Sequence, residues 1–254
     1  MAAGLDPRLN PKVKDGRWRV GSVAEEDSAR TARERMVQEQ IVARGLSDKR
    51  VLDAMRTVPR HEFIPSASLS KAYVDSPLSI GYGQTISQPY MVAYMSEQLS
   101  GFPEGAKVLE LGTGSGYQAA VLVKMGFEVH TMERIQELAD SARATLDRLG
   151  LSPASLNVAD GHAGWPSEAP YSAIIATACA RSIPPEWVEQ VEPRGVIIAP
   201  IQRRLGRQML VRMTKRSAGL DTENLCPVRF VPLVDERGGG RLASALGRLL
   251  RRRS

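Results

Sequence analysis

From Ala29 onward, apolar residues recur at helical spacing: Met36, Ile41 and Val42, then Val51, Leu52 and Met55. Gly45 ends the first of these segments, and Ser47 or Asp48 can cap the second. Pro59 and Pro65 interrupt the pattern. Residues 89–99, PYMVAYMSEQL, predict another helix, with Pro89 tolerated in its first turn because an N–H there has no intrahelical partner. After Gly101 the period changes. KVLEL (107–111) reads as a short buried strand, GTGSGY as a glycine turn, and YQAAVLVKM as a helix stopped by Gly126. EVHTME (128–133) is a second strand, followed by a helix over 135–149 that Gly150 stops. LNVAD, YSAIIAT and VIIAPI are three more strands, and QMLVRMTKR and VRFVPLV two further ones. Short apolar strands alternating with helices predict an α/β fold, a parallel, doubly wound sheet of about seven strands. The first hundred residues lie outside the alternation and are expected to form an N-terminal helical cap over the carboxyl edge of that sheet.

This divides the chain into a polar extension (1–28), one domain (29–236) and a Gly/Arg-rich tail (237–254). Within the domain, 29–100 form the cap and 101–236 the sheet. The formal net charge of +6 suggests nucleic acid until it is located. Five arginines and no acid lie in the last fourteen residues, which leaves a net charge of +1 for residues 1–240. The body is therefore expected to be nearly neutral and to select neither acidic nor basic surroundings. Leu242, Leu246, Leu249 and Leu250 would share one helical face of the tail, a pattern that suits a membrane surface, although a solvated terminus is the simpler expectation. No apolar run is long enough to span a bilayer, and the N-terminus lacks a secretory signal's apolar stretch. The two cysteines, Cys179 and Cys226, allow at most one disulfide and show no metal-ligand spacing. Reduced thiols, a cytoplasmic location and no metal are expected.

LELGTGSGY places Gly112, Gly114 and Gly116 in the first strand-to-helix turn, where backbone can approach a ligand closely, with Glu110 two residues ahead. Glu133 ends the second strand, 23 residues after Glu110, where a carboxylate can accept both hydrogen bonds of a ribose diol. The spacing is G-x-G-x-G, and an acid sits inside the strand. A pyrophosphate would be repelled by Glu110, whereas a sulfonium amino acid with its cationic ammonium is attracted, directly or through water. S-adenosylmethionine is thus favoured over NAD. Asp160 with Gly161, after the third strand, could accept from the adenine amino group.

At these residues the chain resembles the protein-L-isoaspartate (D-aspartate) O-methyltransferase family. The resemblance runs from about Met36 to Val234 through VPRHEFIP, YVDSPLSIGYGQTISQPYMVAYM, VLELGTGSGYQAAVL, MERIQEL, DGHAGWPSEAPYSAII and FVPLV. GQTISQP is its most specific segment; the glycine turn is shared with many unrelated methyltransferases. The resemblance implies a Rossmann-like S-adenosylmethionine-dependent methyltransferase sheet. It also implies methyl transfer to the abnormal α-carboxylate of isoaspartyl and D-aspartyl residues in proteins and peptides. By the same resemblance Ile80, Gly81, Tyr82 and Gly83 touch the cofactor, together with Glu110, Gly112, Thr113, Gly114 and Gly116 at its methionine end. Glu133 and Arg134 flank the ribose, and Asp160 and Gly161 the adenine. Gln84, Thr85, Ile86, Ser87, Thr177 and Ala178 face the substrate. The nucleophile is the substrate's own carboxylate, ionised at neutral pH, so no general base is needed. A neutral hydroxyl, Ser87 or Thr85, with N–H groups at the following helix start can hold that anion without blunting its attack. Ser87 is the expected catalytic residue and can also cap the helix. His61 is expected to be structural, His162 a bystander at the cleft edge, and Trp165-Pro166 a packing element.

Ala159, Arg194, Gln202 and Val234 depart from the family's usual residues without removing an expected ligand. A nucleic-acid amino methyltransferase would carry an Asn/Asp-Pro-Pro-aromatic motif after the fourth strand; here that strand runs into IIATACARSIPP, and no basic stripe is evident. A non-catalytic binding module would be expected to have lost GQTIS. Methylation of a defined aspartate in a peptide natural product would leave the cofactor half unchanged and stays open. Otherwise the expected partners are isoaspartyl proteins and peptides, acted on by a monomer without nucleic acid or membrane.

Overall fold

A computed structural model describes residues 23–64, 69–217 and 219–233. Most of the polar extension, Val234 and the Gly/Arg tail lie outside the described residues. Seven strands form one sheet in the order β5-β4-β3-β6-β7-β8-β9. They are β3 (Lys107–Leu111), β4 (Glu128–Glu133), β5 (Ser155–Val158), β6 (Tyr171–Ala176), β7 (Val191–Gln202), β8 (Gln208–Arg216) and β9 (Gly219–Val228). The first five are parallel, while β8 and β9 add to β7 as an antiparallel meander, so the sheet is mixed rather than all parallel.

The last strand is not where the apolar pattern puts it. VRFVPLV contributes only Val228 to β9, whose remaining residues are the largely polar GLDTENLCP. An edge strand open to water on most of its length needs no apolar run. Residues 229–233 instead leave the sheet and cross the carboxyl ends, pairing with Cys179 through Cys179 N–H to Val231 O (2.7 Å) and Leu233 N–H to Cys179 O (2.8 Å). Gln208 holds the start of this strap with both ends of its amide, at 3.0 and 2.6 Å from the Phe230 backbone.

Two cores sandwich the sheet, as alternation along β3 requires. Leu109 and Leu111 face a core with Ile174, Ala176 and Trp187, the last from α7 (Pro185–Gln190). Val108 faces the larger core, covered by α5 (Tyr117–Lys124) and α6 (Gln136–Leu149). The N-terminal helices α1 (Val23–Met36), α2 (Lys49–Thr57), α3 (Leu69–Ala72) and α4 (Pro89–Glu97) join that same side. The first begins at Val23, earlier than the apolar spacing indicates. α2 and α4 pack on α5, so these helices form an outer layer beside the sheet rather than a lid across its carboxyl edge. Buried Arg60 locks this layer: its Nε donates to Ala72 O at 2.8 Å, and its guanidinium lies 5.0 Å from the centre of the Tyr117 ring. His61 hydrogen-bonds the Tyr73 hydroxyl at 2.8 Å and is structural.

GYGQTI is a hairpin, not an open loop. β1 (Leu78–Gly81) pairs with β2 (Gln84–Ile86) around Tyr82 and Gly83, both at positive φ (52° and 71°), the signature of a type I′ turn. Arg194 adopts φ 69°, a left-handed conformation that a glycine would take without strain. Among the described residues no helix is long and apolar enough to cross a membrane.

Candidate active site

The strand order reverses between β3 and β6, and a cleft opens at their carboxyl ends, as expected at a switch point. One wall is the glycine turn. Gly112 and Thr113 donate to Met132 O at 2.8 and 3.0 Å, which ties the turn to the end of β4. Gly112 has φ 100°, and a Cβ there would fall 2.5 Å from Thr177 Oγ1. That hydroxyl donates to Gly112 O at 2.5 Å, so Thr177 lines the cleft but spends its proton on bracing the turn. Ala178 lines the cleft beside it.

Glu133 projects into the cleft and is oriented by three backbone donors: Gly114 N–H on Oε2 (2.8 Å), and Arg134 and Ile135 N–H on Oε1 (2.9 Å each). Oε1 is thereby filled, and Oε2 keeps one acceptor direction for a ligand. Asp160 and Gly161 form the next part of the wall, with Ala159 beside them. Asp160 Oδ1 accepts from His162 N–H (2.9 Å) and lies 3.0 Å from His162 Nδ1. His162 is therefore Asp160's partner rather than a bystander.

Glu110 is placed differently from the expectation. It shares a face of β3 with Val108, so it points beneath α5 and is completely buried, outside the cleft lining. Its strand partner on β4 is Thr131. Thr131 Oγ1 lies 2.5 Å from Glu110 Oε2 and 2.6 Å from Thr113 Oγ1, and Thr113 lines the cleft. Glu110 thus reaches the cleft only through two hydroxyls. Burial pushes its carboxyl up to about 8; the Thr131 hydrogen bond opposes this, the nearby charge of Glu133 adds to it, and the Ala119 amide opposes it. Buried under the turn and absent from the cleft lining, Glu110 is not placed for the direct contact with an ammonium that its position in the sequence suggests.

Gly116, expected at the cofactor, is outside the cleft lining and serves packing. It caps α5 at φ 87°, and a Cβ on it would meet Leu146 of α6 at 3.0 Å. Of the hairpin residues, Ile80 is buried, with its Cδ1 3.6 Å from where a Gly114 Cβ would stand. Gly81, Tyr82 and Gly83 form the exposed turn, and none of the four lines the cleft.

The opposite wall is Gln84, Thr85, Ile86 and Ser87. Ser87 does not cap the following helix: Gln88 is the N-cap of α4, with no side-chain capping bond. The helix start is also already satisfied, since Tyr90 N–H goes to Asp75 Oδ1 (3.2 Å) and the Met91 and Val92 N–H groups both go to Gln88 O. This wall therefore offers hydroxyls rather than helix-start amides. The floor and far rim hold Tyr117, Gln118, Met132 and the strap residues Val231, Pro232 and Leu233, none singled out by the sequence pattern. Pro232 inside a supposed strand was the available sign that FVPL is not part of the sheet.

A family model for protein-L-isoaspartate(D-aspartate) O-methyltransferase (PCMT) matches residues 31–238. The protein-L-isoaspartate O-methyltransferase of Geobacter metallireducens is 50% identical over 212 residues, covering 82% of this chain and 96% of that protein. The one from Opitutus terrae is 46% identical over 212 residues, covering 83% and 91%. A solved protein-L-isoaspartate O-methyltransferase superposes with a TM-score of 0.74 at 29% identity, covering 82% of this chain and 67% of that one. A Plasmodium falciparum structure of this type, in complex with S-adenosyl-L-homocysteine, has the same fold, with a TM-score of 0.70 at 24% identity over 80% of this chain and 98% of that one.

Proposed function

The chain belongs to the protein-L-isoaspartate(D-aspartate) O-methyltransferase family, and from that premise we infer that it methylates the α-carboxylate of L-isoaspartyl and D-aspartyl residues in damaged proteins and peptides. S-adenosylmethionine is the cofactor. The observation that carries this reading is the contrast between the two cleft walls. One is glycine backbone with the acids Glu133 and Asp160; the other is the uncharged run Gln84–Ser87.

The first wall fits the cofactor. A glycine turn that no Cβ could share with Thr177 leaves room for its methionine end, with Thr113 and Gly114 beside it. Glu133 holds one open acceptor position, on Oε2, for the ribose diol with Arg134 alongside, and Asp160 with Gly161 receives the adenine. Bound there, S-adenosylmethionine supplies a methyl group on a cationic sulfur. The second wall acts on the substrate. A carboxylate with an ordinary pKa of about 3.5 to 4 is ionised at neutral pH, so the protein's task is to aim one oxygen and exclude water. Ser87 and Thr85 donate to the carboxylate without neutralising it, while Ile86, Val92 and the strap Val231–Leu233 shield it. Neutral Glu110 adds no repulsion beneath the site. The backbone nitrogen of the following residue attacks the product ester and expels methanol, closing a succinimide whose hydrolysis partly restores normal aspartate. The reading extends to a cytoplasmic monomer that acts on polypeptides rather than nucleic acid.

The test is labelled methyl transfer to peptides of identical sequence with Asp or isoAsp at one position, in several unrelated contexts. Labelling of isoAsp across contexts, with Asp untouched, is expected. Labelling of Asp within a single context would replace repair by action on a dedicated peptide.

A further inference from the structure

Three segments distant in the sequence meet at one rim of the cleft, and each brings arginine without acid. Residues 177–184 contribute Arg181, residues 199–209 contribute Arg203, Arg204 and Arg207, and residues 228–233 contribute Arg229; none of the three segments contains Asp or Glu. Backbone bonds hold them together. Ala180 N–H donates to Pro200 O at 3.0 Å and Gln202 N–H to Ala180 O at 2.9 Å, which sets Arg181 beside the β7–β8 turn. Arg203 and Arg207 close that turn through Arg203 N–H to Arg207 O at 2.7 Å. Gln208, next in the chain, grips Phe230 and so brings Arg229 alongside.

All five arginines are exposed. Arg203 donates to the neutral Asn224 Oδ1 at 2.8 Å, and none of the five joins an ion pair with another described residue. The near-neutral body expected from the charge count thus hides a concentrated positive rim. At the apex of the turn Leu205 is 94% exposed and has φ 60°, a conformation uncommon for a residue with a side chain. An apolar contact point therefore stands among the charges.

The rim continues directly into the cleft lining. Arg229 is two residues from Val231, and Arg181 three from Ala178, both of which line it. At about 3.3 Å per extended residue, these two offsets put the rim within reach of side chains a few positions from a residue held in the cleft.

We propose that the arginine rim binds acidic side chains of the substrate polypeptide, so that isoaspartyl sites flanked by Asp or Glu are methylated preferentially. This rests on the isoaspartyl reading above and adds a selectivity that a neutral site would lack. Exposed ion pairs are individually weak and screened by salt, so several must act together and the preference must fade as ionic strength rises.

The test uses isoAsp peptides with Glu, Gln or Lys at positions two to five on either side. For the wild-type protein at low salt the kcat/KM ratio of Glu-flanked to Gln-flanked peptide is expected to be about ten, as several weak pairs would give, and to be carried by KM. It should fall toward one in high salt and in the Arg203→Ser/Arg204→Ser/Arg207→Ser protein. An Arg181→Ser/Arg229→Ser protein should lower it independently. A wild-type ratio of one or less, or a full ratio in both variants, overturns the proposal. So does a short oligonucleotide that displaces a fluorescent Glu-flanked peptide at far lower concentration than a poly-Glu peptide, which would assign the rim to nucleic acid. Failure to methylate any isoAsp peptide, Gln-flanked included, would instead strike the underlying activity. Anisotropy of the same fluorescent peptide would then still judge the rim, because equal binding to wild type and variants rejects it.

Discussion

Replacing Glu110 by Gln isolates the energetic cost of an acid buried under the glycine turn. Its carboxyl is pushed from an ordinary 4.5 up to about 8, chiefly by complete burial. The folded protein therefore binds a proton that the unfolded chain has released between those two values. Stability from this group is fully present below about pH 4.5, is lost as pH rises, and is gone above about pH 8. At about 1.4 kcal/mol per unit of pKa, the whole span corresponds to about 5 kcal/mol. Integrated over the accessible window from about pH 5.5 to 8.5, the loss is about 3 kcal/mol. Glutamine keeps the shape and, in its amide oxygen, an acceptor for the Thr131 hydroxyl, which lies 2.5 Å from Glu110 Oε2 in the wild type, but has no proton to lose. Urea unfolding of both proteins at about pH 5.5, 7 and 8.5, without ligand, measures the difference directly. Other titrating groups affect the two proteins alike, so the stability of Glu110→Gln relative to wild type should rise steadily toward high pH. Parallel profiles would mean that Glu110 is ionised throughout and that its burial is offset by some other contact. A relative fall for Glu110→Gln would reverse the sign and refute the reasoning altogether.

Two further predictions concern the cleft walls. Ser87→Ala should lower methyl transfer to an isoAsp peptide at least about tenfold, about 1.4 kcal/mol in the barrier, with no loss of melting temperature because Ser87 caps no helix; unchanged kcat/KM would leave the hydroxyl without a role. Glu133→Ala should weaken S-adenosylhomocysteine by about 1 to 3 kcal/mol, as expected when a charged acceptor is removed, and calorimetry showing equal affinity would take Glu133 out of the ribose site.

The parallel half of the sheet was legible because short segments with buried apolar residues alternate with helices: KVLEL and EVHTME are found where they were expected, YSAIIAT to within one residue, and β8 matches QMLVRMTKR throughout. β9 was not, since GLDTENLCPV is polar and owes its strand to nine pairings with β8 rather than to burial. VRFVPLV misled for the converse reason: Phe230, Val231 and Leu233 are half-buried in the strap beside the cleft and Cys179, not within the sheet. In the site, the glycine spacing located the turn, and Glu133 and Asp160 stand in the cleft as their positions suggested. Glu110 did not, because strand alternation turns it away from the cleft, and the sequence alone does not say which face opens to a ligand. The hairpin escaped notice because its turn carries Tyr82 at positive φ where Asn or Asp is the usual signal. The arginine rim was invisible for a topological reason: its members lie up to 48 positions apart, between Arg181 and Arg229, and only the strap and the β7–β8 turn unite them.

Under the proposed function, the distribution of charge around the cleft follows from what each zone would have to do. Acids stand where a polar, cationic ligand needs fixed acceptors, and Glu133 costs little there because three amides already point at it. Where an anionic nucleophile must be aimed, a cation would hold it most strongly before reaction and a second anion would repel it; hydroxyls at Thr85 and Ser87 avoid both. Glu110, under the turn between these zones, is kept largely neutral by the same burial that removes it from solvent. Positive charge is displaced to the outer rim, where screening makes it too weak to trap a carboxylate but several side chains together can draw in an acidic chain. An arginine moved from that rim into the Gln84–Ser87 wall would therefore bind substrate more tightly and turn it over more slowly.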